Sequence, residues 1–168
     1  DEYDTLEDIR NAKAENHRVI VLYHGGKEHC PYPSPRLYRA CRAMARSGAD
    51  VVLCQHTHCI SCYEEYNGCH ILYGQGNFHF VNLNEAVPPC WNSLLAVKYD
   101  TATNKIAFIP IVTRGNGITL AKGEEKKEKA ARLVAAKRPM EKWLARFLRI
   151  RTADIHGCDQ ESLQRGFY

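Results

Sequence analysis

Three observations predict an α/β fold for this chain. Two apolar segments, 18–23 and 50–54, are separated by a helical pattern, which is typical of a parallel β-α-β unit. Two later segments, 94–99 and 105–113, flank a turn-forming stretch and predict an antiparallel hairpin, so the β-structure is expected to be mixed. The chain has 168 residues, 45% of them hydrophobic and 25% charged, which suits one globular domain with a core.

The first helix and the first strand each have a local signal. Thr5, followed three residues later by Asp8, resembles a capping box and predicts a helix near residues 6–16. Residues 18–23 form a nearly continuous apolar run that ends at a pair of glycines. Because such runs are typical of strands covered on both sides, this strand is expected to be buried on both faces.

The second helix is expected to connect the two strands of the β-α-β unit. Ser34 is a suitable N-cap, Pro35 suits the first helical position, and Gly48 is the glycine expected just after the end of the helix. A right-handed crossover through this helix places the two strands side by side and parallel. Their carboxyl ends therefore meet at one edge of the sheet.

The rest of the chain divides into a sheet-forming part and a helical part. Residues 70–73 predict a short strand, and residues 124–136 predict a charged helix. Pro139 interrupts that helix, and an amphipathic piece follows with Trp143, Leu144, Phe147 and Leu148. We therefore expect one domain over residues 1–120 and a helical C-terminal extension over residues 121–168 that packs on it.

The formal net charge of +4 is modest, and the positive excess is concentrated towards the C-terminal end. Residues 122–151 contain eleven Lys or Arg residues and four Glu residues. Such a run is more often the solvated face of a helix than a nucleic-acid site, so no nucleic-acid partner is expected. No apolar run reaches the roughly 18 residues of a membrane span, and no signal peptide is visible.

The eight cysteines are expected to be mostly free thiols in a reducing compartment, because the chain does not resemble a small disulfide-bonded scaffold. Two of them occupy a helix stripe and a strand end, where cysteine acts as a small hydrophobe. The alternative is a structural zinc ion held by the cluster from Cys54 to Cys69, although a second C-x-x-C pair is missing. The eight residues are Cys30, Cys41, Cys54, Cys59, Cys62, Cys69, Cys90 and Cys158.

Histidines follow both strands of the β-α-β unit. His24 comes after the first strand and is followed by Glu28, and His56 and His58 come after the second strand. Ligands bind outside the carboxyl ends of strands in α/β sheets, and imidazole is the commonest metal ligand in proteins. The three histidines therefore predict a metal site, with Glu28 as a ligand, as the partner of a ligand or as a proton acceptor. The alternative is three unrelated histidines and a surface glutamate. His29 breaks the pattern and is left out of the predicted ligand set.

Several motifs occur in order along the chain. They are His24-Gly25-Gly26-Lys27-Glu28, Gln55-His56-Thr57-His58, Glu64-Glu65-Tyr66-Asn67-Gly68 and Tyr73-Gly74-Gln75-Gly76-Asn77-Phe78. This series resembles the CapA family of poly-γ-glutamate capsule biosynthesis proteins, which have a calcineurin-like metallophosphatase fold. The resemblance implies a mixed β-sheet sandwich flanked by helices, in four α/β/β/α layers.

The resemblance also implies the roles of particular residues. The metal ligands that it implies are His24, His56 and His58. Glu28 matches an acidic neighbour of these ligands, and Asn77 matches a Gly-Asn-Phe element near the site, so both are candidate catalytic residues. Gln55 stands where metallophosphoesterases have a glycine before the His-x-His pair, a departure that constrains the turn but removes no ligand.

One part of the family pattern is missing. Family members have a strand with a Gly-Asp element and a later Asn-His element, which supply the remaining metal ligands, and no strand of this sequence ends in either element. Residues 1–120 are therefore expected to be the C-terminal part of a CapA-like domain that lacks its N-terminal portion. Full turnover by this chain alone is not expected.

The leading functional hypothesis is a CapA-like protein of poly-γ-glutamate, capsule or related polyanion metabolism that hydrolyses phosphoester or γ-glutamyl amide bonds. Its cofactor would be a divalent Mn, Fe or Zn ion, with two ions in a full-length protein. The alternative is a non-catalytic module that binds an anionic polymer or takes part in assembly, which the basic stretch 122–151 would suit. The expected partners are an anionic polymer or a small-molecule substrate, and the missing N-terminal segment. The free thiols favour the cytoplasm, and anchoring at the cell surface is left open for a longer form.

Overall fold

The computed structural model describes residues 2–79, 93–115 and 117–135. Within these residues the elements, in chain order, are α1 (Glu2–Glu15), β1 (Ile20–His24), α2 (Pro35–Arg46), β2 (Val51–Gln55), β3 (Tyr63–Tyr66), β4 (Cys69–Leu72), β5 (Ser93–Asp100), β6 (Lys105–Arg114), β7 (Gly117–Leu120) and α3 (Gly123–Ala135). The strands form a first sheet in the spatial order β1-β2-β4-β3 and a second sheet in the order β5-β6-β7.

The first sheet contains the predicted β-α-β unit. β1 pairs in parallel with β2, so that Ile20 lies opposite Val51 and His24 lies opposite Gln55. β2 also pairs in parallel with β4, whereas β3 pairs antiparallel with β4, and the sheet is therefore mixed. The carboxyl ends of β1, β2 and β4 lie at one edge of this sheet, as expected for the first two strands.

The predicted ends of α2 are confirmed. Ser34 is the N-cap, where its Oγ accepts a hydrogen bond from the backbone N–H of Leu37 at 3.2 Å, and Pro35 opens the helix. Gly48 follows the C-terminal end with a φ of 114°, a conformation that glycine adopts at little cost. These residues therefore determine where α2, the connection between β1 and β2, begins and ends.

An apolar layer joins the two sheets, and helices cover the other face of the first sheet. The buried part of the layer between the sheets consists of Val51, Leu53, Ile60, Leu72 and Leu95. On the opposite face, Val52 and Ile71 of the sheet pack with Ile9 of α1 and Met44 of α2. The protein is thus mixed α/β, with two sheets and three helices within the described residues.

Two expectations for the N-terminal region are wrong. α1 extends from Glu2, so Thr5 lies inside the helix and does not cap it. β1 is not buried on both faces, because exposure alternates along the strand and reaches 49% at Ile20 and 72% at Leu22. The reason is that β1 lies at the edge of the first sheet, where the second sheet leaves these two side chains uncovered.

Hydrophobic periodicity does not predict β3, whose four residues are two tyrosines around two glutamates. The signal for this strand is the pair Asn67-Gly68 before β4. Both residues have positive φ, 51° and 73°, as a two-residue hairpin turn between antiparallel strands requires. β7 is a second strand that the sequence reasoning missed.

The later hairpin and the charged helix agree with prediction, with small shifts of their ends. β5 and β6 pair antiparallel from Ser93↔Val112 to Asp100↔Lys105, and α3 covers most of the predicted range 124–136. Leu133 of α3 packs against the layer between the sheets. The rest of the predicted extension, including Trp143 to Leu148, lies outside the described residues. No helix within the described ranges is both long and apolar enough to span a bilayer.

Six cysteines lie in the described part of the chain, and all six are free thiols. They are Cys30, Cys41, Cys54, Cys59, Cys62 and Cys69. Burial raises the pKa of Cys62 to about 11 and that of Cys69 to about 12, so both are protonated at neutral pH. Cys90 and Cys158 lie outside the described residues.

Asp50 connects α1 and the segment before β1 to the start of β2. Its carboxylate accepts hydrogen bonds from Nζ of Lys13 at 2.7 Å, Nη1 of Arg18 at 2.7 Å and the backbone N–H of Val19 at 2.8 Å. Burial by itself would raise the pKa of Asp50, but these donors outweigh it and hold the pKa below its ordinary value.

Glu64, in β3, links α2 to the first sheet through a small network of hydrogen bonds. Arg42 donates two hydrogen bonds to its carboxylate, at 3.0 Å and 2.8 Å, and the hydroxyl of Tyr73 donates a third at 2.5 Å. The guanidinium also lies over the rings of Tyr38 and Tyr66, 4.1 Å and 4.3 Å from their centroids. The hydrogen bonds to Glu64 raise the pKa of Arg42, and burial together with Glu64 raises that of Tyr73.

Candidate functional site

Three loops meet at the carboxyl ends of β1, β2 and β4, and backbone hydrogen bonds hold them together. The N–H of Gly25 donates to the carbonyl of Gln55 at 3.2 Å, and the N–H of His29 donates to the carbonyl of Thr57 at 2.9 Å. The N–H of Gln75, after β4, donates to the carbonyl of Cys54 at 3.1 Å. Parallel pairing therefore assembles the three loops on one side of the sheet. The sequence predicted this for the first two loops only.

The structure brings the three predicted histidines together. The ring centroids of His24 and His56 are 5.1 Å apart, and those of His56 and His58 are 6.2 Å apart. Exposure falls along the second loop, because the side chain of His56 is 36% exposed and that of His58 is 19% exposed. The rings form a group at the surface that opens to solvent on the side of His24.

Glu28 faces the two histidines of the second loop. Its Oε1 lies 4.0 Å from Nε2 of His56 and 3.9 Å from Nε2 of His58, and its side chain is 53% exposed. At these distances the interaction is long for a hydrogen bond. The carboxylate is nevertheless close enough to contact a group held between the two rings.

Asn77 orients His58 and is itself buried, with 5% exposure. Its Oδ1 lies 2.8 Å from Nδ1 of His58. Because an amide oxygen can only accept a hydrogen bond, this contact requires that Nδ1 carries the proton and leaves the lone pair of His58 on Nε2. That is the nitrogen on the side of Glu28. Asn77 thus positions the ring of His58. Metal-binding histidines commonly make such a hydrogen bond through the ring nitrogen that does not bind the metal.

The backbone of the histidine loops is strained. His56 and His58 have φ values of 90° and 58°, and His29 has a φ of 58°. Residues with a Cβ avoid this left-handed region, at a cost of about 1–2 kcal/mol each. Gln55, which was expected to constrain the turn, ends β2 in a regular parallel pair with His24, and the positive φ values begin at His56.

Close packing underneath the loops maintains this conformation. Thr57 is 2% exposed, and its Oγ1 makes hydrogen bonds with the backbone of Cys59. A Cβ on Gly26 would lie 2.9 Å from Cγ2 of Thr57, and a Cβ on Gly74 would lie 2.6 Å from its Oγ1. Both glycines therefore make room for Thr57, and Thr57 connects the first and third loops.

The types of ligand atom at the site fit a divalent transition metal, whereas the distances between these atoms are too long for one ion. Imidazole nitrogens and a carboxylate suit Zn, Fe and Mn. Within residues 2–79, 93–115 and 117–135, however, no three His, Cys, Asp or Glu side chains lie close enough to hold an ion as they stand. Ligand atoms of one tetrahedral ion are about 3.3 Å apart, while Glu28 lies 3.9 Å and 4.0 Å from the two imidazole nitrogens. Ion binding therefore requires small rotations of these partly exposed side chains.

His29 belongs to the neighbourhood of the site, although its sequence position gave no reason to include it. Its ring stacks beside that of His58, with centroids 6.1 Å apart and planes inclined by 27°. The thiols from Cys54 to Cys69 form no such group, since the described residues contain no cluster of three metal-binding side chains there either. The described thiols are thus in the same position as the histidines in this respect, and the structural zinc ion stays a prediction.

Comparison with known proteins agrees with the resemblance seen in the motifs. Residues 1–82 match the family described as bacterial capsule synthesis protein PGA_cap. The chain is similar to the PGA biosynthesis protein CapA of Bacillus subtilis (strain 168), with 39% identity over 72 residues. It is also similar to the capsule biosynthesis protein CapA of Bacillus anthracis, with 37% identity over 62 residues.

The family match, over residues 1–82, contains all five predicted site residues. The matched segments make up 43% and 37% of this chain but only 19% and 15% of the two relatives. The chain therefore corresponds to a small part of the relatives' length.

Proposed function

Since residues 1–82 match the family of bacterial capsule synthesis proteins, we propose that this chain acts in poly-γ-glutamate, capsule or related polyanion metabolism. The proposed reaction is metal-dependent hydrolysis of a phosphoester or γ-glutamyl amide bond. The observation that carries it is the meeting of three histidines and Glu28 at the carboxyl ends of parallel strands. The same family match supports a four-layer α/β/β/α arrangement around the two observed sheets.

His24, His56 and His58 would hold a Mn, Fe or Zn ion in this mechanism. Such an ion would polarise the phosphoryl or amide oxygen and lower the pKa of a coordinated water. Glu28 faces the same space, and its exposed carboxylate accepts the proton that leaves an attacking water. Asn77 keeps Nδ1 of His58 protonated and so presents Nε2 towards Glu28.

Metal content measured by elemental analysis tests the proposal most directly. We expect near-stoichiometric Mn, Fe or Zn in the purified chain, and its loss in the double variant His56→Ala/His58→Ala. His17→Ala is the matched control, because His17 is exposed and lies before β1, away from the three loops. Lack of metal in the wild type, even after incubation with Mn or Zn, would contradict the proposed ligand set.

Hydrolysis forms the second part of the test. Phosphoesters and γ-glutamyl amides are the substrates to screen, in the metal-loaded chain and after treatment with a chelator. Because part of the family's ligand set is missing from this chain, the proposal expects only partial turnover. That turnover should be abolished by the chelator and reduced by Glu28→Gln without loss of bound metal. Metal binding without turnover of either substrate class would restrict the proposal to a binding site.

A second candidate function, binding of an anionic polymer without catalysis, rests on the basic surface beside α3. Arg114 and Lys122 line a groove of about 400 Å³ between β7 and the start of α3. Arg114 is paired with Glu125 at 2.9 Å, which weakens its attraction for a polyanion. Binding of poly-γ-glutamate that falls steeply as salt is raised, and that is unaffected by the histidine double variant, would favour this candidate.

A further inference from the structure

Two buried thiols lie in contact between α2 and the end of β2. Sγ of Cys41, in α2, is 3.4 Å from Sγ of Cys54, in β2, and both residues are 0% exposed. They are thirteen positions apart in the sequence, and the β-α-β unit brings them together in the apolar cluster on the helical side of the first sheet. The folded chain with free thiols therefore already holds these two sulfur atoms side by side.

Two other thiols belong to the same apolar cluster, and each of them faces a backbone carbonyl group. Sγ of Cys62 donates to the carbonyl of Pro31 at 3.7 Å, and Sγ of Cys69 donates to the carbonyl of His70 at 3.8 Å. The contact between α2 and β2 differs from these because both of its atoms are sulfur. It therefore identifies the two cysteines that an oxidant would join.

The distance between the two sulfur atoms is short enough for a covalent bond to form after a small movement. A disulfide has an S–S length of about 2.05 Å, so the atoms must approach each other by about 1.4 Å. Each sulfur atom is one rotatable bond from the backbone, so rotation about the two Cα–Cβ bonds brings them closer. We propose that Cys41 and Cys54 form a disulfide that fixes α2 to the end of β2 and stabilises the fold.

The proposed reaction is exchange with a small-molecule disulfide such as oxidised glutathione. The thiolate of one cysteine attacks a sulfur atom of oxidised glutathione, and one glutathione leaves as its thiolate. The thiolate of the second cysteine then attacks the protein sulfur of this mixed disulfide, and the second glutathione leaves. The protein thus loses two protons and two electrons, and oxidised glutathione gains them and becomes two molecules of reduced glutathione.

Burial determines when this reaction takes place. The hydrogen bond with Cys54 and burial both raise the pKa of Cys41 above its ordinary value, so this thiol is protonated in the folded chain. Exchange needs a thiolate that the oxidant can reach, and the folded chain therefore reacts slowly. The unfolded chain exposes both thiols, and folding then brings them together. We therefore expect the disulfide to form while the chain folds.

The disulfide also acts close to the histidine loops. Cys54 lies two positions before His56, and its carbonyl accepts a hydrogen bond from the N–H of Gln75, in the third loop, at 3.1 Å. A cross-link at Cys54 thus connects α2 to the place where the second and third loops meet. The inference depends on neither metal nor turnover, so a failure of the proposed hydrolase activity would leave it unaffected.

The test refolds the full 168-residue chain from urea in a mixture of reduced and oxidised glutathione, and in parallel in reduced glutathione alone. Free thiols are then alkylated under denaturing conditions and counted from the intact mass. We expect at least two fewer free thiols after refolding with oxidised glutathione. Fragmentation of the cross-linked peptides should place one disulfide between Cys41 and Cys54.

Two further measurements follow the effect of the cross-link. The oxidised chain should unfold at a urea midpoint at least about 0.5 M higher than the reduced chain, because the closed loop restricts the unfolded state. A chain that is already folded when oxidised glutathione is added should form the disulfide at least about tenfold more slowly than the refolding chain.

Cys41→Ala and Cys54→Ala should each abolish this cross-link and the difference between the two urea midpoints. Cys69→Ala is the matched control, because Cys69 is a buried thiol of the same cluster whose Sγ faces a backbone carbonyl. It should retain both the cross-link and the difference. Circular dichroism checks that each variant is folded, and the peptide mapping of the wild-type chain depends on none of them.

Four outcomes would overturn the inference. The first is a wild-type chain that keeps all its free thiols after refolding with oxidised glutathione. The second is a cross-link that joins other cysteines instead of this pair. The third is a disulfide between Cys41 and Cys54 that does not raise the urea midpoint. The fourth is equally fast oxidation of the folded chain, because the pair would then be open to solvent and not in the core.

Discussion

Replacement of Gly74 by alanine tests whether close packing under the histidine loops maintains the site. A Cβ at this position would lie 2.6 Å from Oγ1 of Thr57, 2.7 Å from the carbonyl oxygen of Cys59 and 2.7 Å from Cβ of Ser61. Comfortable contacts between such atoms begin near 3.4–3.5 Å, so the neighbours must move by about 0.8 Å. One of the three atoms belongs to the backbone of the loop that contains His58, and no rotation of a side chain can relieve that contact.

The expected cost follows from this geometry. Overpacking of this kind destabilises a protein by about 1–3 kcal/mol. Because the structure gives Gly74 no positive φ, the cost comes from the steric contact and not from the backbone conformation. With a urea m-value of about 2 kcal/mol/M, a loss of about 2 kcal/mol lowers the midpoint of unfolding by about 1 M.

Gly68→Ala provides the matched control for the urea experiment. Gly68 has a φ of 73°, and nothing lies within 4 Å of a Cβ built there, so its cost is conformational and about 1 kcal/mol. Only Gly74→Ala should also shift the NMR signals of His56 and His58. A midpoint for Gly74→Ala that equals the wild type, or a smaller loss than in Gly68→Ala, would refute the reasoning.

Two further predictions concern the buried carboxylates. Glu64→Gln should lower the free energy of unfolding by about 2 kcal/mol, measured in urea, because Arg42 loses its ionised partner; the partial exposure of Arg42 keeps the loss below that of a fully buried pair. No loss would show that the network contributes little to stability. For Asp50, whose pKa is lowered by folding, the stabilisation is complete above the ordinary carboxyl pKa and is lost as the pH falls through the lower folded value. The decrease in urea midpoint below about pH 4 should be shallower in Asp50→Asn, and an equal slope would contradict the assignment.

The sequence predicts the elements of this fold better than it predicts their surroundings. The β-α-β unit has local signals at every boundary, from the cap at Ser34 to the glycine at position 48, and the structure confirms each of them. The same apolar run that predicts β1 also predicts burial on both faces, and this is wrong. Burial depends on which strands lie beside β1 and on what covers them, and neither is a property of the run itself.

Strand β3 is the opposite case, a strand that the hydrophobic pattern of the sequence does not predict. Its tyrosines and glutamates have no apolar alternation, yet Glu64 is buried because Arg42 and Tyr73 bind its carboxylate. The strand forms through the turn at Asn67-Gly68 and through pairing with β4. Turn chemistry was the available signal, and hydrophobic periodicity was the wrong measure for a strand whose inward residue is an ion-paired carboxylate.

The site illustrates the same division between what is local and what is not. Strand order alone was enough to predict that His24 and the His56/His58 pair meet, because parallel neighbours end at one sheet edge. The hydrogen bond from His58 to Asn77 joins residues nineteen positions apart, and only the third loop brings them together. The left-handed backbone at His56 and His58 was equally invisible, since histidine has no preference for that region comparable to that of glycine. Two strained residues would be replaced by glycine if the turn alone mattered. The proposed metal-binding role would account for histidine at both positions, since their side chains converge with Glu28.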